Sequence, residues 1–354
     1  MKKLLLLIPI FILNIISLFY LSNTIYFKRQ LIYILLSYIL LIISYKINYK
    51  RIIKLLKPIY IFNILLLLLV LIIGKEINGS KAWIHIFNIS IQPTEITKLT
   101  LLILFTYLVT TYRTIHLFPL VLLPIILTYL EPDTGAIIIY IIILLSVLKY
   151  TKKNKYITIT IITILALIIT LNLTIYHYNP DLIIKIYGNK LFYRIDRLIS
   201  FKNKNNIQNI NSLVSIGSNK LLYIPENHND FIFAAIISKY NIIITITLIL
   251  SITSIIIYYI SEINKKRTID NIFNYTVLNI LLFSFFYNIL MNLSLLPIIG
   301  IPLPFVSYGG SYLITLYIMI GLSINPSKNM DLEDKMVEDI QVEDTLDKLL
   351  LQQV

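Results

Sequence analysis

Apolar runs of about 20 residues recur along most of this chain, and each is long enough to cross the hydrocarbon layer of a bilayer as a helix. No other feature narrows the fold so far. Composition agrees with it: 57% of the residues are hydrophobic and 14% charged, and the mean hydropathy of +0.81 exceeds anything a water-soluble domain needs. Ten spans account for the pattern most economically, over 4–22, 31–46, 52–73, 93–111, 115–130, 134–148, 156–176, 231–260, 271–292 and 306–323. The first run directly follows Met-Lys-Lys, lacks a small-residue cleavage site and reads as a span, not a removed signal. The expected fold is an all-α integral membrane protein, a polytopic bundle of about ten transmembrane helices. A long extracytoplasmic loop, 177–230, separates spans 7 and 8; the bundle covers 1–326 and an acidic tail 327–354.

The basic residues orient the bundle. Lys2 and Lys3, then Lys46, Lys50, Arg51, Lys54 and Lys57, then Arg113, Lys149, Lys152, Lys153, Lys155, Lys265, Lys266 and Arg267 mark one face. The short connections on the other face carry only Lys28, Arg29, Lys75 and Lys81. The positive-inside rule then makes both termini cytoplasmic. The net charge of +13 is read as topology, so no nucleic-acid partner is expected. The long loop is itself basic; it is either a solvated or lipid-facing surface or a positively lined entrance for an anionic substrate. With no cysteine in the chain, disulfides, thiolate metal sites and a cysteine nucleophile are excluded. Four histidines without H-x-x-x-H spacing do not suggest a histidine metal site.

Polar groups at membrane depth or at its edge are few. Ile224–Phe233 reads I-P-E-N-H-N-D-F-I-F, placing Glu226, His228 and Asp230 at alternate positions just before an apolar run. Asp230 is there either as a helix N-cap or as a carboxylate with a task, and the two readings are compatible. Trp83, the only tryptophan, suits an interfacial anchor. Glu95 and Lys98 share a helix face in the fourth span, as a structural ion pair or as the wall of a polar cavity. Glu131-Pro132-Asp133-Thr134-Gly135 suits a tight turn. The run from Pro297 to Ser311, which includes Ser307, is too rich in Pro and Gly for a straight helix. Irregular backbone at that depth survives only when buried in protein or lining a cavity. All these groups fall on the outer face.

Four stretches carry a family resemblance: G-S-K-A-W-I with Q-P-T-E-I-T-K-L, E-P-D-T-G, I-P-E-N-H-N-D-F-I-F, and G-I-P-L-P-F-V-S-Y-G-G-S. In order and spacing they resemble the SEDS family (shape, elongation, division and sporulation), over residues from about 5 to 325. The compact N-terminus and the P-E-x-H-x-D form are more similar to the elongation branch (RodA) than to the division branch (FtsW). The resemblance implies a multi-pass protein of the bacterial cytoplasmic (inner) membrane. It also implies a peptidoglycan glycosyltransferase that polymerises lipid II, an undecaprenyl-pyrophosphate-linked disaccharide-pentapeptide, on the outer side during elongation. Asp230 matches the family's essential aspartate, Trp83 its outer-loop tryptophan, and Glu95 with Lys98 its charged pair. Asp230 is then the expected general base on the acceptor hydroxyl in an inverting transfer. Arg197 and Lys81 are candidates for the pyrophosphate, and Asp133, Glu226, His228 and Ser307 for further substrate contacts. No cofactor is certain; a divalent cation (Mg or Mn) at the pyrophosphate would assist, but no ligand set is visible. The implied partners are a class B penicillin-binding protein transpeptidase and other elongation-complex membrane proteins.

The chain departs from the family pattern at Ala82, where a basic residue is usual, in a shortened Gly-rich stretch before P-E-x-H, at Ser238 and Lys239, where acids are common, and at Arg194. A lipid-linked precursor flippase would also suit a ten-span bundle, although the conspicuous polar groups are one-sided. A non-catalytic scaffold would tolerate loss of Asp230.

Overall fold

The computed structural model describes residues 2–77, 80–86, 89–111, 117–131, 133–149, 174, 178, 207–240, 242–263 and 269–327. The expected seventh span, Arg197, most of the long loop and the acidic tail from 328 lie outside the described residues. Three long helices come first: α1 (Lys2–Leu21), α2 (Phe27–Lys46) and α3 (Tyr49–Ile73). After a small sheet the chain continues through α4 (Pro93–Thr111), α5 (Leu117–Leu130) and α6 (Thr134–Lys149). The second half contributes α7 (Ile207–Ser218), α8 (Ile232–Lys239), α9 (Ile242–Glu262), α10 (Ile269–Asn292) and α11 (Gly310–Ser323). Among the described residues five helices, α1, α2, α3, α9 and α10, are long and apolar enough to cross a membrane, and α5, α6 and α11 are shorter apolar helices. The chain is a polytopic helical membrane protein.

Three details differ from the sequence expectation. First, residues 75–91 are not a bare loop. Strands β1 (Lys75–Ile77), β2 (Ser80–Ile86) and β3 (Ile89–Ile91) form an antiparallel sheet in the order β1-β2-β3. Its register sets Ile84 opposite Ile91 and His85 opposite Ser90. The period-2 alternation that builds a half-buried strand is present in K-A-W-I-H: Ala82 and Ile84 are buried, while Lys81, Trp83 and His85 are not.

Second, the expected eighth span, 231–260, is two helices. Tyr240 is extended, and its N–H closes α8 on the Ile236 carbonyl. The polar stretch Ser238-Lys239-Tyr240 stops the apolar run there. Lys239 reaches the end of α1, 3.5 Å from the Tyr20 carbonyl and 5.2 Å from the centre of the Tyr20 ring. Third, the last span starts at Gly310 and not at 306, because Pro302 and Pro304 keep the preceding segment irregular.

The core runs through the middle of the bundle, where Phe285, Phe305 and Tyr317 are fully buried and their rings contact in series at 6.5 and 5.8 Å. Helices α2 and α11 form the most extensive helix pair among the described residues. Small residues permit it: a Cβ on Gly310 would stand 2.8 Å from the Tyr33 ring, and one on Gly321 would overlap Ser44. With α11 pinned to α2, the irregular segment 293–309 must turn back over one end of the bundle. The ends of α3, α5 and α10 and the starts of α4, α6 and α11 meet at that same end.

Candidate active site

At this end the chain folds segment 219–231 against segment 293–309, two stretches with little regular structure of their own. The turn is tight. Glu226 adopts a left-handed φ of 60°, and its carbonyl accepts from the N–H groups of both Asn229 and Phe231. The Asn229 amide donates to the Glu226 carboxylate at 2.6 Å, and His228 Nε2 lies 3.8 Å from the same group. The next three carbonyls are then clamped in succession. Tyr308 N donates to His228 O at 2.9 Å, Ser307 Oγ to Asn229 O at 2.8 Å, and the side chains of Asn288 and Asn292 both to Asp230 O at 2.9 Å. Unsatisfied backbone groups at this depth are costly, and these bonds satisfy them.

Asp230 sits in the middle of this clamp, half-buried. The N-cap position of α8 falls on Phe231, the residue after Asp230. Its Oδ2 stands 3.7 Å from where a Cβ on Gly300 would lie. Gly300 has φ of 71°, and Ser294 and Phe305 in the same segment are also left-handed. Such backbone costs about 1–3 kcal/mol per non-glycine residue and concentrates at functional sites.

His228 is stacked on Tyr26, with ring centres 4.1 Å apart and planes 11° from parallel, and Tyr308 flanks both. Burial lowers its pKa below the ordinary imidazole value, while the Glu226 charge works in the opposite direction. Ser307 is fully buried and holds Leu303 N as well as Asn229 O, so its hydroxyl is a fastener between the two segments. Gln30 of α2 extends the fastening, donating to Ser307 O at 3.3 Å and accepting from Gly309 N.

Glu95 and Lys98 form the anticipated ion pair, 2.6 Å apart and buried in the first two turns of α4. Tyr312 of α11 lies within electrostatic reach of both Glu95 and Asp230. Asp133 lies at the start of α6. One carboxylate oxygen accepts from Ala136 N and caps α6, and the other accepts from Gln92 Nε2 at 2.8 Å and Thr94 Oγ1 at 3.1 Å. Gly135, two residues on, brings α6 against the carbonyls of Ile299 and Gly300. Between α5 and α6, burial pushes Glu131 up to about 9, with the Asp133 charge adding to it.

Lys81 is drawn elsewhere. Its ammonium donates to the carbonyls of Leu71 and Ile72 at 2.6 and 2.9 Å, capping the C-terminal end of α3. Trp83 sits half-buried on the same face of β2. Among the described residues no three His, Asp or Glu side chains gather as a ligand set. The sequence reading missed Asn288, Asn292, Gln30 and Tyr26. All four lie in or beside spans that composition presents as uniformly apolar, and the signal available was a polar residue where none is needed.

The chain is 33% identical over 326 residues to a probable peptidoglycan glycosyltransferase FtsW of Buchnera aphidicola subsp. Baizongia pistaciae, covering 83% of this chain and 81% of that one. A protein of the same name from Haemophilus influenzae is 28% identical, over 83% of this chain and 79% of its own. The fold is similar to the rod shape determining protein RodA of Thermus thermophilus, with a TM-score of 0.64 at 21% identity over 90% and 94% of the two chains. It is also similar to a chain from a structure described as a peptidoglycan synthase complex that coordinates polymerization and crosslinking, with a TM-score of 0.72 at 21% identity over 91% and 96%. A family model described as "Cell cycle protein", that of the FtsW, RodA and SpoVE proteins, matches residues 3–331, and the chain belongs to this family.

Proposed function

We propose that this protein is a peptidoglycan glycosyltransferase that polymerises lipid II at the outer face of the bacterial cytoplasmic membrane, with Asp230 as general base. Family membership and the names of the relatives support the activity. The observation that supports the residue assignment is a half-buried Asp230 on a backbone held by Ser307, Asn288 and Asn292.

In the reaction, the acceptor sugar hydroxyl attacks the anomeric carbon of the donor. A new C–O bond forms on the face opposite the leaving group. The bond to the pyrophosphate breaks, its electron pair passes to the pyrophosphate oxygen, and the hydroxyl proton passes to Asp230. Preorganisation suits this step, because a base held in place before substrate arrives needs no reorganisation in the transition state. In this reading the buried Glu95–Lys98 pair supplies a polar wall to the substrate cavity. Of the pyrophosphate candidates, Arg197 lies outside the described residues, and Lys81 would have to leave the end of α3.

The basic faces support an orientation with both termini cytoplasmic, which puts the Asp230 end outside. A class B penicillin-binding protein is the proposed partner, supported by the fold's similarity to a chain of a peptidoglycan synthase complex. The elongation role rests on the compact N-terminus and P-E-x-H-x-D form, whereas the FtsW names of the curated relatives favour a division role. Depletion in the native host separates these: loss of rod shape supports elongation, and filaments with intact shape support division.

The direct test is polymer formation from lipid II by the purified protein, with and without its transpeptidase, comparing wild type with Asp230→Asn. The expected outcome is polymer from wild type and a loss of at least about 100-fold in the folded variant. Polymer from both would remove Asp230 from the chemistry. Absence of polymer, with Asp230-dependent lipid II translocation in vesicles, would favour the flippase.

A further inference from the structure

Asparagines are expensive inside an apolar helix, and the outer part of α10 carries two that are fully buried, Asn288 and Asn292. Four residues apart, they share a helix face. Every bond they make leads to the same place. Asn288 Nδ2 donates to Asp230 O at 2.9 Å and to Ile301 O at 2.8 Å, joining the aspartate's turn to the segment whose Gly300 faces the carboxylate. Asn292 Nδ2 donates to Asp230 O at 2.9 Å, and to Asn288 O and Oδ1 at 2.9 and 3.2 Å. Asn292 Oδ1 accepts from Ala234 N in the first turn of α8 at 3.0 Å. The amide orientations are forced, since the carbonyls can only accept and Ala234 N can only donate. Asn292 therefore grips the chain on both sides of Phe231, and Asn288 fixes the distance across to 301.

We infer that Asn288 and Asn292 are positioning residues that set the direction of the Asp230 carboxylate, holding it without touching it. This rests on Asp230 being the base. Packing alone does not require the arrangement, because Leu at either position would suit an apolar helix better. The two amides instead remove the freedom of the Asp230 peptide, so that the side chain leaves a fixed Cα toward the space beside Gly300. A displacement of the order of 1 Å at a reacting group costs about 100-fold in rate.

The test uses the full-length protein and two measurements. Asn288→Leu and Asn292→Leu remove the donors with a side chain the bilayer tolerates, and Asn292→Asp keeps the size and the acceptor for Ala234 N but loses the donors. With lipid II as substrate, each variant is expected to lose about 100-fold in kcat with KM unchanged. The acidic limb of its pH–rate profile is expected to move, because the Asp230 environment has changed. A structural role alone would lower the active fraction and leave the profile in place. Independently of activity, labelling of Asp230 by a water-soluble carbodiimide and an amine, read by mass spectrometry against pH, is expected to shift its midpoint in the folded Leu variants. Wild-type kcat, or an unmoved labelling midpoint in Asn288→Leu and Asn292→Leu, overturns the inference. If the Leu variants do not fold, Asn292→Asp decides on the same two criteria. Failure of wild type to make polymer while the labelling midpoint still shifts would discard the glycosyltransferase reading and keep the positioning role.

Discussion

Gly300 stands against the carboxylate of Asp230, with room for a Cβ only 3.7 Å from Oδ2 and a backbone φ of 71°. The conformation argues for glycine, whereas a Cβ there would make an ordinary van der Waals contact with the carboxylate. Gly300→Ala is expected to destabilise the fold by about 1–3 kcal/mol through the left-handed backbone. It should lower polymerisation further if the space beside the Asp230 carboxylate admits substrate, because the methyl group fills part of it. Thermal unfolding of the detergent-solubilised protein and a lipid II assay on the folded fraction separate the two effects. Normal turnover per folded molecule would mean that the gap beside Asp230 has no role.

The Glu95–Lys98 pair is buried, so removing one partner leaves an uncompensated charge. Glu95→Gln or Lys98→Met alone is expected to cost about 3–5 kcal/mol, and the double apolar variant much less. If the pair also forms the wall of the active cavity, the double variant will fold and yet polymerise poorly. A double variant that is both stable and fully active would reduce the pair to a structural feature.

Lys81 supports the end of α3 through two carbonyls. Lys81→Met is expected to lower stability by about 0.3–1 kcal/mol, as for a cation lost from a helix C-terminus. It should leave KM for lipid II unchanged. A large rise in KM with unaltered stability would return Lys81 to the pyrophosphate.

Glu131 is held up to about 9, above its ordinary 4.5, so the folded state binds its proton more tightly than the unfolded chain does. Its contribution to stability is complete below 4.5 and declines as pH rises toward 9. Glu131→Gln, which cannot ionise, should match wild type in thermal midpoint near pH 4.5 and exceed it by a few degrees near pH 9. An equal pH slope in both proteins would show that Glu131 is ionised in the fold.

Several features of this end of the bundle are legible in the sequence. Glu95 and Lys98 at a spacing of three had to share a face, and Pro297–Ser311 could not be a straight helix. The break at Tyr240 was less visible, because a single lysine beside a tyrosine does not interrupt an apolar run on a hydropathy count. The strand alternation of K-A-W-I-H was present but short. Lys81 could not be assigned from sequence, since a cation near a membrane surface serves a helix end as readily as a phosphate.

Sequence alone determined that the chain crosses a membrane, because apolar length is a one-dimensional property that needs no partner. It also marked the polar stretches among the apolar runs, because polar residues are costly there and stand out. Tertiary structure alone decided how the Asp230 peptide is held. Which groups hold it depends on contacts with Ser307, Asn288 and Asn292, which lie 58 or more residues away along the chain. Those distances close only when α10 and the irregular segment fold back over the bundle, and no local pattern encodes such a meeting.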